Sequence, residues 1–292
     1  MKTKGCFGFF AAFLFTRAAQ ALIPFDTGTD VDNTYNTTAP LNGAPWNYIA
    51  EVTNSDVSTD ASAIYLGNDF LITANHVNLG STILLDGTSY NIDATYTPQE
   101  VGSADLKLFK ITGSTGLAPL TLTNASLGTG DLNAASTMIG WGVGKGSAIM
   151  QSGSNVGWTW GGDSTRAERW GTNVTLSGYY SGSDNVQYLA TAFNPSLGAN
   201  VASATLGDSG SGLFQLVSGT WELAGIYTDV DTPNASYYAD SPNNLSGMDN
   251  SYAVEVEPYS AQIEAAIPEP GSYALAGIGG AVVAVFARRR MK

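Results

Sequence analysis

Between Trp46 and Val256, short apolar runs alternate with turn-forming residues, and this pattern constrains the fold more than any other feature of the chain. Apolar runs of about four to eight residues, bounded by Gly, Asn, Asp or Ser, are typical of strands in an all-β sandwich or barrel. The runs are WNYIAEV, SAIYLG, FLITA, STILLDG, LKLFKIT, STMIGWG, VQYLATAF, SGLFQLV, WELAGIYTDV and SYAVEV. One stretch, EPYSAQIEAAI at 257–267, predicts a helix. We therefore expect an all-β domain that ends in a short helix.

Two long polar stretches, 153–171 and 232–250, predict surface loops. The first is rich in Trp and Gly, so a role in covering a site or in binding a partner stays open beside the simpler interpretation of a solvated loop. The chain shows no internal repeat of fixed period.

Residues 1–21 have the features of a secretory signal peptide. Lys2 and Lys4 precede the apolar stretch GCFGFFAAFLF, and AAQA follows it. A basic start, a short apolar middle and small residues at the end predict export and cleavage after Ala21. Arg17, near the end of the apolar stretch, leaves the position of the cut open. The alternative, an N-terminal membrane anchor, is disfavoured because the apolar run is too short to span a bilayer comfortably.

Residues 268–292 combine Pro268-Glu269-Pro270, an apolar segment of 17 residues at 271–287 and an arginine cluster at 288–290. A segment of that length is at the lower limit for a spanning helix, and the arginines would stay on the cytoplasmic side, so an ordinary single-pass anchor is one interpretation. The order of the three parts closely resembles the bacterial PEP-CTERM sorting tail. That resemblance implies transient insertion into the inner membrane of a Gram-negative bacterium and removal by an exosortase-type enzyme. The protein would then reside at the cell surface or in the extracellular matrix.

The remaining residues, 22–267, carry 5 basic and 24 acidic side chains, a net charge of −19. Nucleic acids and anionic membrane surfaces would repel such a domain, which excludes them as partners. The single cysteine, Cys6, lies in the predicted signal peptide, so the exported domain contains no disulfide. A domain of about 245 residues is large enough to be stabilised by core burial alone.

Three separated residues supply the groups of a nucleophilic hydrolase. His76, in ITANHV, is the only histidine of the chain; Asp105 opens the run ADLKLFKI, and Ser209 lies in GDSGSGLF. A serine hydroxyl needs an adjacent base, and an imidazole with a pKa of about 6.5 can take up its proton and return it. A carboxylate fixes the imidazole tautomer and stabilises the charged ring. Taken alone, a single histidine is as well explained as a core residue with satisfied hydrogen bonds, so the interpretation depends on all three residues together.

The segments around these residues resemble the chymotrypsin/trypsin-like serine protease family. FLITANHV resembles the family's Leu-Thr-Ala-Ala-His-Cys segment, ADLKLFKI its Asp-Ile-Ala-Leu strand, and GDSGSGLF its Gly-Asp-Ser-Gly-Gly-Pro loop. APWNYIAEV, MIGWGVG and LAGIYTDV resemble its opening Pro-Trp strand, its Gly-Trp-Gly strand and the Gly-Ile-Val-Ser-Trp strand beside the substrate. The order His, Asp, Ser is also that of the family. The resemblance covers about 44–267.

The resemblance implies two antiparallel six-stranded β-barrels, one at about 44–130 and the other at about 131–256, which meet at the catalytic cleft. It implies that Ser209 is the nucleophile, that His76 acts as base and then as acid, and that Asp105 orients His76. The backbone N–H groups of Gly207 and Ser209 would form the oxyanion hole. Neither a cofactor nor a metal is implied.

The chain departs from the family at Asp208. In the family, this carboxylate pairs with a new N-terminus, usually Ile-Val-Gly-Gly, which is released by cleavage after Lys or Arg. Here no Lys or Arg lies between Arg17 and Lys107, and that tetrapeptide does not occur before Pro45. The partner of Asp208 and the existence of a zymogen therefore stay open.

In the family, the residue six positions before the nucleophile sets the floor of the primary substrate pocket, and here that residue is Ser203. A neutral floor cannot compensate a buried Lys or Arg side chain, so an apolar or aromatic residue is expected before the cleaved bond. Thr228 and Asp229 follow GIY and fall near the pocket wall. The Asp229 carboxylate could attract a basic side chain instead, or it could be a solvated loop residue.

Two functions follow from these observations. The first is an exported serine endopeptidase that hydrolyses a protein or peptide substrate through an acyl-enzyme intermediate. The alternative is a catalytically silent, protease-like module for adhesion at the surface or in the matrix.

Overall fold

The computed structural model of the protein describes residues 22–26, 33–54, 60–124, 134–181 and 185–267. The predicted signal peptide and sorting tail lie outside these residues. Among the described residues, no helix has both the length and the apolar character needed to cross a membrane.

The described chain begins with a short strand, β1 (Ile23–Pro24), and a first sheet of seven strands follows. These strands are β2 (Ile49–Thr53), β3 (Ala61–Gly67), β4 (Phe70–Thr73), β5 (Thr82–Leu85), β6 (Thr88–Asn91), β7 (Gln99–Glu100) and β8 (Lys107–Lys110). Their order in the sheet is β6-β5-β2-β3-β4-β8-β7. An antiparallel bridge between Ile92 and Ile111 joins the segments after β6 and β8, so the sheet curls back on itself.

Two-residue turns with positive φ angles close several hairpins. Asp86-Gly87 links β5 to β6, with φ angles of 47° and 70°, and Asn68-Asp69 links β3 to β4, with φ angles of 50° and 69°. Two consecutive residues with positive φ are the requirement of the type I′ turn, which matches the right-handed twist of the paired strands. Asp, Asn and Gly tolerate this backbone conformation best, which explains why the apolar runs are interrupted by these residue types.

The second sheet contains a closed barrel of six strands. Its strands are β10 (Ala135–Gly142), β13 (Ala167–Ser181), β14 (Val186–Ala192), β16 (Gly212–Val217), β17 (Thr220–Val230) and β19 (Asn250–Glu255). The order is β16-β10-β13-β14-β19-β17, and pairing of β16 with β17 closes the ring. A further strand, β9 (Thr121–Leu122), pairs in parallel with β17 from outside the ring.

Smaller elements complete the described chain. A three-stranded sheet consists of β11 (Lys145–Gln151), β12 (Ser154–Trp160) and β18 (Ala235–Tyr237), and β15 (Ala202–Ser203) pairs with β1. Single 3₁₀ turns occur at Trp46–Tyr48, Asp163–Thr165, Pro195–Leu197 and Glu257–Tyr259. The helix α1 (Ser260–Ala266) ends the domain, and its buried residue is Ile263.

The largest apolar cluster joins the two sheets. Ile64 and Ile72 of the first sheet belong to the same buried cluster as Ile139 and Phe214 of the second, and Ile263 of α1 joins them. Burial of such side chains contributes about 1.5–3 kcal/mol each, so this shared cluster fixes the relative position of the two sheets. The loop that follows β4 and the loop that precedes β16 lie beside this shared cluster, so the cluster positions the candidate site.

The predicted all-β class with a short C-terminal helix is confirmed, and each of the apolar runs contains or overlaps a strand. The interpretation of 153–171 as a surface loop is wrong. Residues 154–160 form β12, and 167–171 begin the long strand β13. The glycine residues of this stretch hid β12, which pairs with both β11 and β18, because glycine is normally depleted in strands.

Candidate active site

His76, Asp105 and Ser209 form a continuous chain of hydrogen bonds. Ser209 Oγ lies 2.8 Å from His76 Nε2, and His76 Nδ1 lies 2.5 Å from Asp105 Oδ2. The backbone N–H of His76 also donates to Asp105 Oδ1 over 2.9 Å. With its Nδ1 proton directed to the carboxylate, the imidazole has its Nε2 lone pair free to accept the proton of the Ser209 hydroxyl.

The strand pairing of the first sheet brings His76 and Asp105 together. Thr73, the last residue of β4, pairs with Lys107, the first residue of β8, so the segments just beyond this pair lie side by side. The N–H of Asn75 donates to the carbonyl of Asp105 over 3.1 Å, which extends the contact past the strands. Lys107 Nζ donates to the carbonyls of Asn75 and Val77 and so holds the turn that carries His76.

The site is open to solvent while its carboxylate is held ionised. The side chain of His76 is 48% exposed and that of Asp105 is 33% exposed. Partial burial works to raise the pKa of Asp105, but the hydrogen bond and charge of the His76 ring, together with the amides of His76 and Asn75, lower it below its ordinary value. An ionised Asp105 is the form that can stabilise a positively charged imidazole.

The turn before Ser209 adopts a backbone conformation that requires glycine. Gly207 has a φ angle of 92°, and a Cβ atom there would lie 1.9 Å from Nη1 of Arg166. Gly210 has a φ angle of 87°, and a Cβ atom there would lie 2.0 Å from the carbonyl oxygen of Ser62. Among the described residues, the N–H groups of Gly207 and Ser209 meet no acceptor, so both donors are available to an incoming oxygen atom.

Asp208 is buried beneath this turn, at 1% exposure. Its Oδ2 accepts hydrogen bonds from the N–H and hydroxyl of Thr205, at 2.8 and 3.0 Å, and from the N–H of Leu22 at 3.3 Å. Burial raises the pKa of Asp208 to about 7 despite these bonds and the charge of Arg169. The sequence left the partner of Asp208 open, and the structure identifies the backbone of Leu22 as one.

A cavity of about 120 Å³ lies beside Ser209. Its walls include Trp160, Leu206, Tyr227, Thr228 and Asp229. Asp229 is exposed and its Oδ1 accepts a hydrogen bond from the N–H of Val230. Thr228 Oγ1 is a buried atom for which the described part of the chain offers no hydrogen-bond partner.

Ser203, the residue expected at the floor of the primary substrate pocket, is not among the residues that line this cavity, and its role there stays a prediction. It lies in β15 opposite Ile23 and is 2% exposed, whereas Ala204 and Thr205 are among the lining residues.

Sequence reasoning missed three contributors to the site: Leu22, Ser62 and Trp160. The one sequence signal for Leu22 was its place directly after the predicted cleavage at Ala21. Ser62 lies in an ordinary buried strand, and nothing in ASAIYLG distinguishes it. Trp160 belongs to the Trp- and Gly-rich stretch for which contact with a site was left open.

Solved structures with a similar fold are serine proteases. Neuropsin, a serine protease of mouse brain, is 14% identical, with a TM-score of 0.52 over 80% of this chain and 98% of neuropsin. The fold is chymotrypsin-like. The inactive form of the protease Rv3671c of M. tuberculosis is 12% identical, with a TM-score of 0.47 over 80% of this chain and 98% of that one. The HtrA-type protease AlgW with a decapeptide is 18% identical, with a TM-score of 0.43 over 70% of this chain and 50% of that one.

The C-terminal residues 266–290 match the PEP-CTERM protein-sorting motif. This match indicates export with a membrane-associated C-terminal tail in a Gram-negative bacterium. No curated protein matches the chain significantly.

Proposed function

We propose that this chain is an exported serine endopeptidase. The observation that carries the proposal is the unbroken hydrogen-bonded chain from Asp105 through His76 to Ser209, beside two backbone N–H groups that have no acceptor among the described residues. A catalytically silent module would have no need to keep this arrangement. The fold alone does not decide between the two functions, because one fold supports many activities.

The proposed reaction has two stages. His76 Nε2 takes the hydroxyl proton as Ser209 Oγ attacks the carbonyl carbon of the scissile peptide bond, and Asp105 stabilises the imidazolium that forms. The N–H groups of Gly207 and Ser209 bind the negatively charged oxygen of the tetrahedral intermediate. Loss of one such donor typically lowers the reaction rate by a factor of about 10²–10³. His76 returns its proton to the leaving amine, and water then releases the acyl group from Ser209 by the same sequence.

The cavity beside Ser209 supports a preference for a small or medium-sized apolar residue before the cleaved bond. Its volume is about 120 Å³, and the fully buried ring of Tyr227 forms part of its wall. Ala204 and Thr205, which line the cavity, are uncharged, and the Asp208 carboxylate already accepts hydrogen bonds from Thr205 and Leu22, so a buried Lys or Arg side chain would lack a counter-charge there. At the exposed edge of the wall, the Asp229 carboxylate is the group that a basic side chain would contact instead. Peptides that differ only at this residue test the preference, and a clear preference for Arg or Lys would contradict it.

Export and removal of the tail complete the proposal. The motif at 266–290 supports processing by an exosortase-type enzyme after transient insertion into the inner membrane. Such processing would release the domain to the cell surface or the extracellular matrix, where its substrate would be a protein or peptide.

A fluorophosphonate probe on the purified chain 22–292 in detergent tests the activity. We expect Ser209 to become labelled, with labelling abolished in Ser209→Ala and strongly slowed in His76→Ala. Ser211→Ala is the matched control, because this buried serine lies two residues away in the same loop and should leave labelling intact. Labelling that persists in Ser209→Ala, or no labelling of the folded wild-type protein, would favour the silent module.

A further inference from the structure

Ser62 is a polar residue on the face of β3 that packs against the second sheet. Successive side chains of a strand point to opposite faces. The next residues on the face of Ser62 are Ile64 and Leu66, and both belong to the large apolar cluster that joins the two sheets. Ser62 itself is fully buried. Because burial of a hydroxyl is unfavourable unless its hydrogen bonds are made, the partners of this hydroxyl indicate its role.

The Ser62 hydroxyl connects the first sheet to the turn that carries Ser209. It donates to the carbonyl of Gly207, in that turn, over 2.9 Å. It accepts the N–H of Trp141, in β10, over 2.8 Å. Both partners are backbone groups outside the first sheet, so the hydroxyl joins three separate parts of the chain at one point.

The backbone of Ser62 contacts the same turn and fixes the side chain in place. Its N–H donates to the carbonyl of Ser209 over 2.9 Å, and its carbonyl accepts the hydroxyl of Thr73, in β4, over 2.7 Å. A Cβ atom at Gly210 would lie 2.0 Å from the Ser62 carbonyl oxygen and 2.3 Å from Thr73 Oγ1. The turn therefore packs directly against β3, with no space in which either could shift.

The two oxyanion donors belong to peptide groups whose carbonyl ends are held by backbone hydrogen bonds. The N–H of Gly207 shares a planar peptide group with the carbonyl of Leu206, which accepts the N–H of Val143 over 2.8 Å. The N–H of Ser209 shares one with the carbonyl of Asp208, which accepts a backbone N–H of the same turn over 2.8 Å. The relative orientation of the two donors then depends on the peptide group that connects them.

This connecting peptide group lies between Gly207 and Asp208, and the Ser62 hydroxyl holds one end of it. The N–H of Asp208 donates to the carbonyl of Thr205 over 3.1 Å, a contact within the turn. At the other end, the Ser62 hydroxyl is the one donor to the Gly207 carbonyl among the described residues. Rotation of the connecting group would therefore have to break the hydrogen bond to Ser62.

We infer that the Ser62 hydroxyl is a positioning group for the oxyanion hole. It acts through the Gly207 carbonyl, and it makes the direction of the two oxyanion donors depend on a side chain of the first sheet. The inference rests on the protease function proposed above and adds to it a residue that no catalytic pattern in the sequence contains.

Ser62→Ala should lower kcat about tenfold to 10²-fold. Complete loss of one oxyanion donor costs about 10²–10³ in rate, and loosening the link between two donors is a smaller change. KM for a peptide substrate should change little, because the donors act mainly on the transition state. The unfolding temperature should also fall, since the Gly207 carbonyl and the Trp141 N–H lose this partner.

Two peptide probes with leucine before the reacting carbonyl test the role of the hydroxyl in the purified chain 22–292 in detergent. The first is a p-nitroanilide substrate, which gives kcat and KM. The second is a trifluoromethyl ketone: Ser209 Oγ adds to its carbonyl carbon, His76 Nε2 takes the hydroxyl proton, and the carbonyl oxygen becomes the negatively charged oxygen that the two N–H groups bind. In Ser62→Ala, the affinity for the ketone should fall by about the same factor as kcat. If either quantity keeps its wild-type value, the inference is refuted.

Ser136→Ala is the matched control for the loss of stability. Ser136 is a buried serine of β10 whose hydroxyl donates to the Ala134 carbonyl and accepts from Gln215, away from the turn. We expect it to lower the unfolding temperature without changing kcat, and an equal loss of kcat in both variants would overturn the inference. If Ser62→Ala does not fold, Ser62→Cys takes its place, because a thiol is a weaker donor. A wild-type kcat in Ser62→Cys would then contradict the positioning role.

A measurement without catalysis separates this inference from the protease function. In Ser209→Ala, the amide of Asp208 can be followed by hydrogen exchange in NMR spectra. Adding Ser62→Ala should speed its exchange about tenfold or more, whereas adding Ser136→Ala should not, because only the first change loosens the turn. Unchanged exchange would contradict the inference whatever the activity. Faster exchange in a protein whose Ser209 form does not hydrolyse the substrate would contradict the protease function alone.

Discussion

A buried carboxylate between the two sheets should make the protein less stable as the pH rises. Glu168 lies on β13 opposite Trp141 of β10, and its Oε1 is buried without a hydrogen-bond donor among the described residues. Burial, followed by the negative charges of Asp86 and Glu51, raises the pKa of Glu168 to about 9. Glu51 on β2 is affected similarly: burial, followed by the charge of Asp60, raises its pKa to about 7.

The size of the effect follows from the difference between the folded and unfolded states. The ordinary pKa of the Glu168 carboxyl is 4.5, so both states hold the proton below that value, and only the unfolded state releases it between 4.5 and about 9. The folded state is therefore destabilised by up to about 1.4 kcal/mol for each pH unit in this window. From pH 5 to pH 8, the free energy of unfolding should fall by at most about 4 kcal/mol through Glu168 alone, and by less where water reaches the group.

Glu168→Gln removes this titration and keeps the shape of the side chain. We would measure the free energy of unfolding in urea at pH 5 and pH 8, in Ser209→Ala to prevent self-digestion. The loss between the two pH values should be smaller in Glu168→Gln by about 2–4 kcal/mol. Glu264→Gln, at an exposed position of α1, is the control and should retain the loss. An undiminished loss in Glu168→Gln would refute the assignment of the raised pKa to this carboxyl.

Three further outcomes are expected. Asp105→Asn should lower kcat about 10⁴-fold without unfolding the protein, because an amide favours the wrong His76 tautomer, and a kcat near the wild-type value would contradict the role of Asp105. Lys145→Ala should lower the free energy of unfolding by about 3–5 kcal/mol, since it removes one member of the buried ion pair with Asp26, and a change below about 1 kcal/mol in chemical denaturation would show that the pair is not buried in solution. Mass spectrometry of protein from the native cells should show a chain without its last 20 or so residues, and a chain that still ends at Lys292 would exclude removal of the tail.

The strands that the sequence predicted are those with a continuous apolar run. β3 is buried at all seven positions and pairs on both sides, so its sequence ASAIYLG is apolar apart from Ser62. The missed strands are of other kinds. β13 spans 15 residues, AERWGTNVTLSGYYS, in which polar residues alternate with apolar ones and a register shift interrupts the pairing with β14. Its pairing with β10 and β14 supplies the stability that its own composition does not indicate, which is the usual reason why strand propensity fails.

The site residues also divide into those that the sequence predicted and those that it did not. His76, Asp105 and Ser209 could be found because their chemistry needs particular side chains, and a chain with one histidine leaves few alternatives. Ser203 does not line the cavity beside Ser209, whereas Ala204 and Thr205 do, so its place at the floor of the substrate pocket stays a prediction. The contribution of Leu22 comes from its backbone nitrogen, and any residue could supply that atom, so no side-chain pattern could have indicated it.

The contacts of Asp208 show the same dependence on the three-dimensional structure. Its Oδ2 accepts hydrogen bonds from the nearby Thr205 and from the backbone nitrogen of Leu22, which is 186 residues away in the sequence, and Arg169 provides a nearby positive charge. The place of the Leu22 nitrogen is set by the strand that follows it, in which Ile23 and Pro24 pair with Ser203 and Ala202. Inserting one residue between Leu22 and β1 should therefore disturb this contact more than exchanging the side chain of Leu22 for another apolar one.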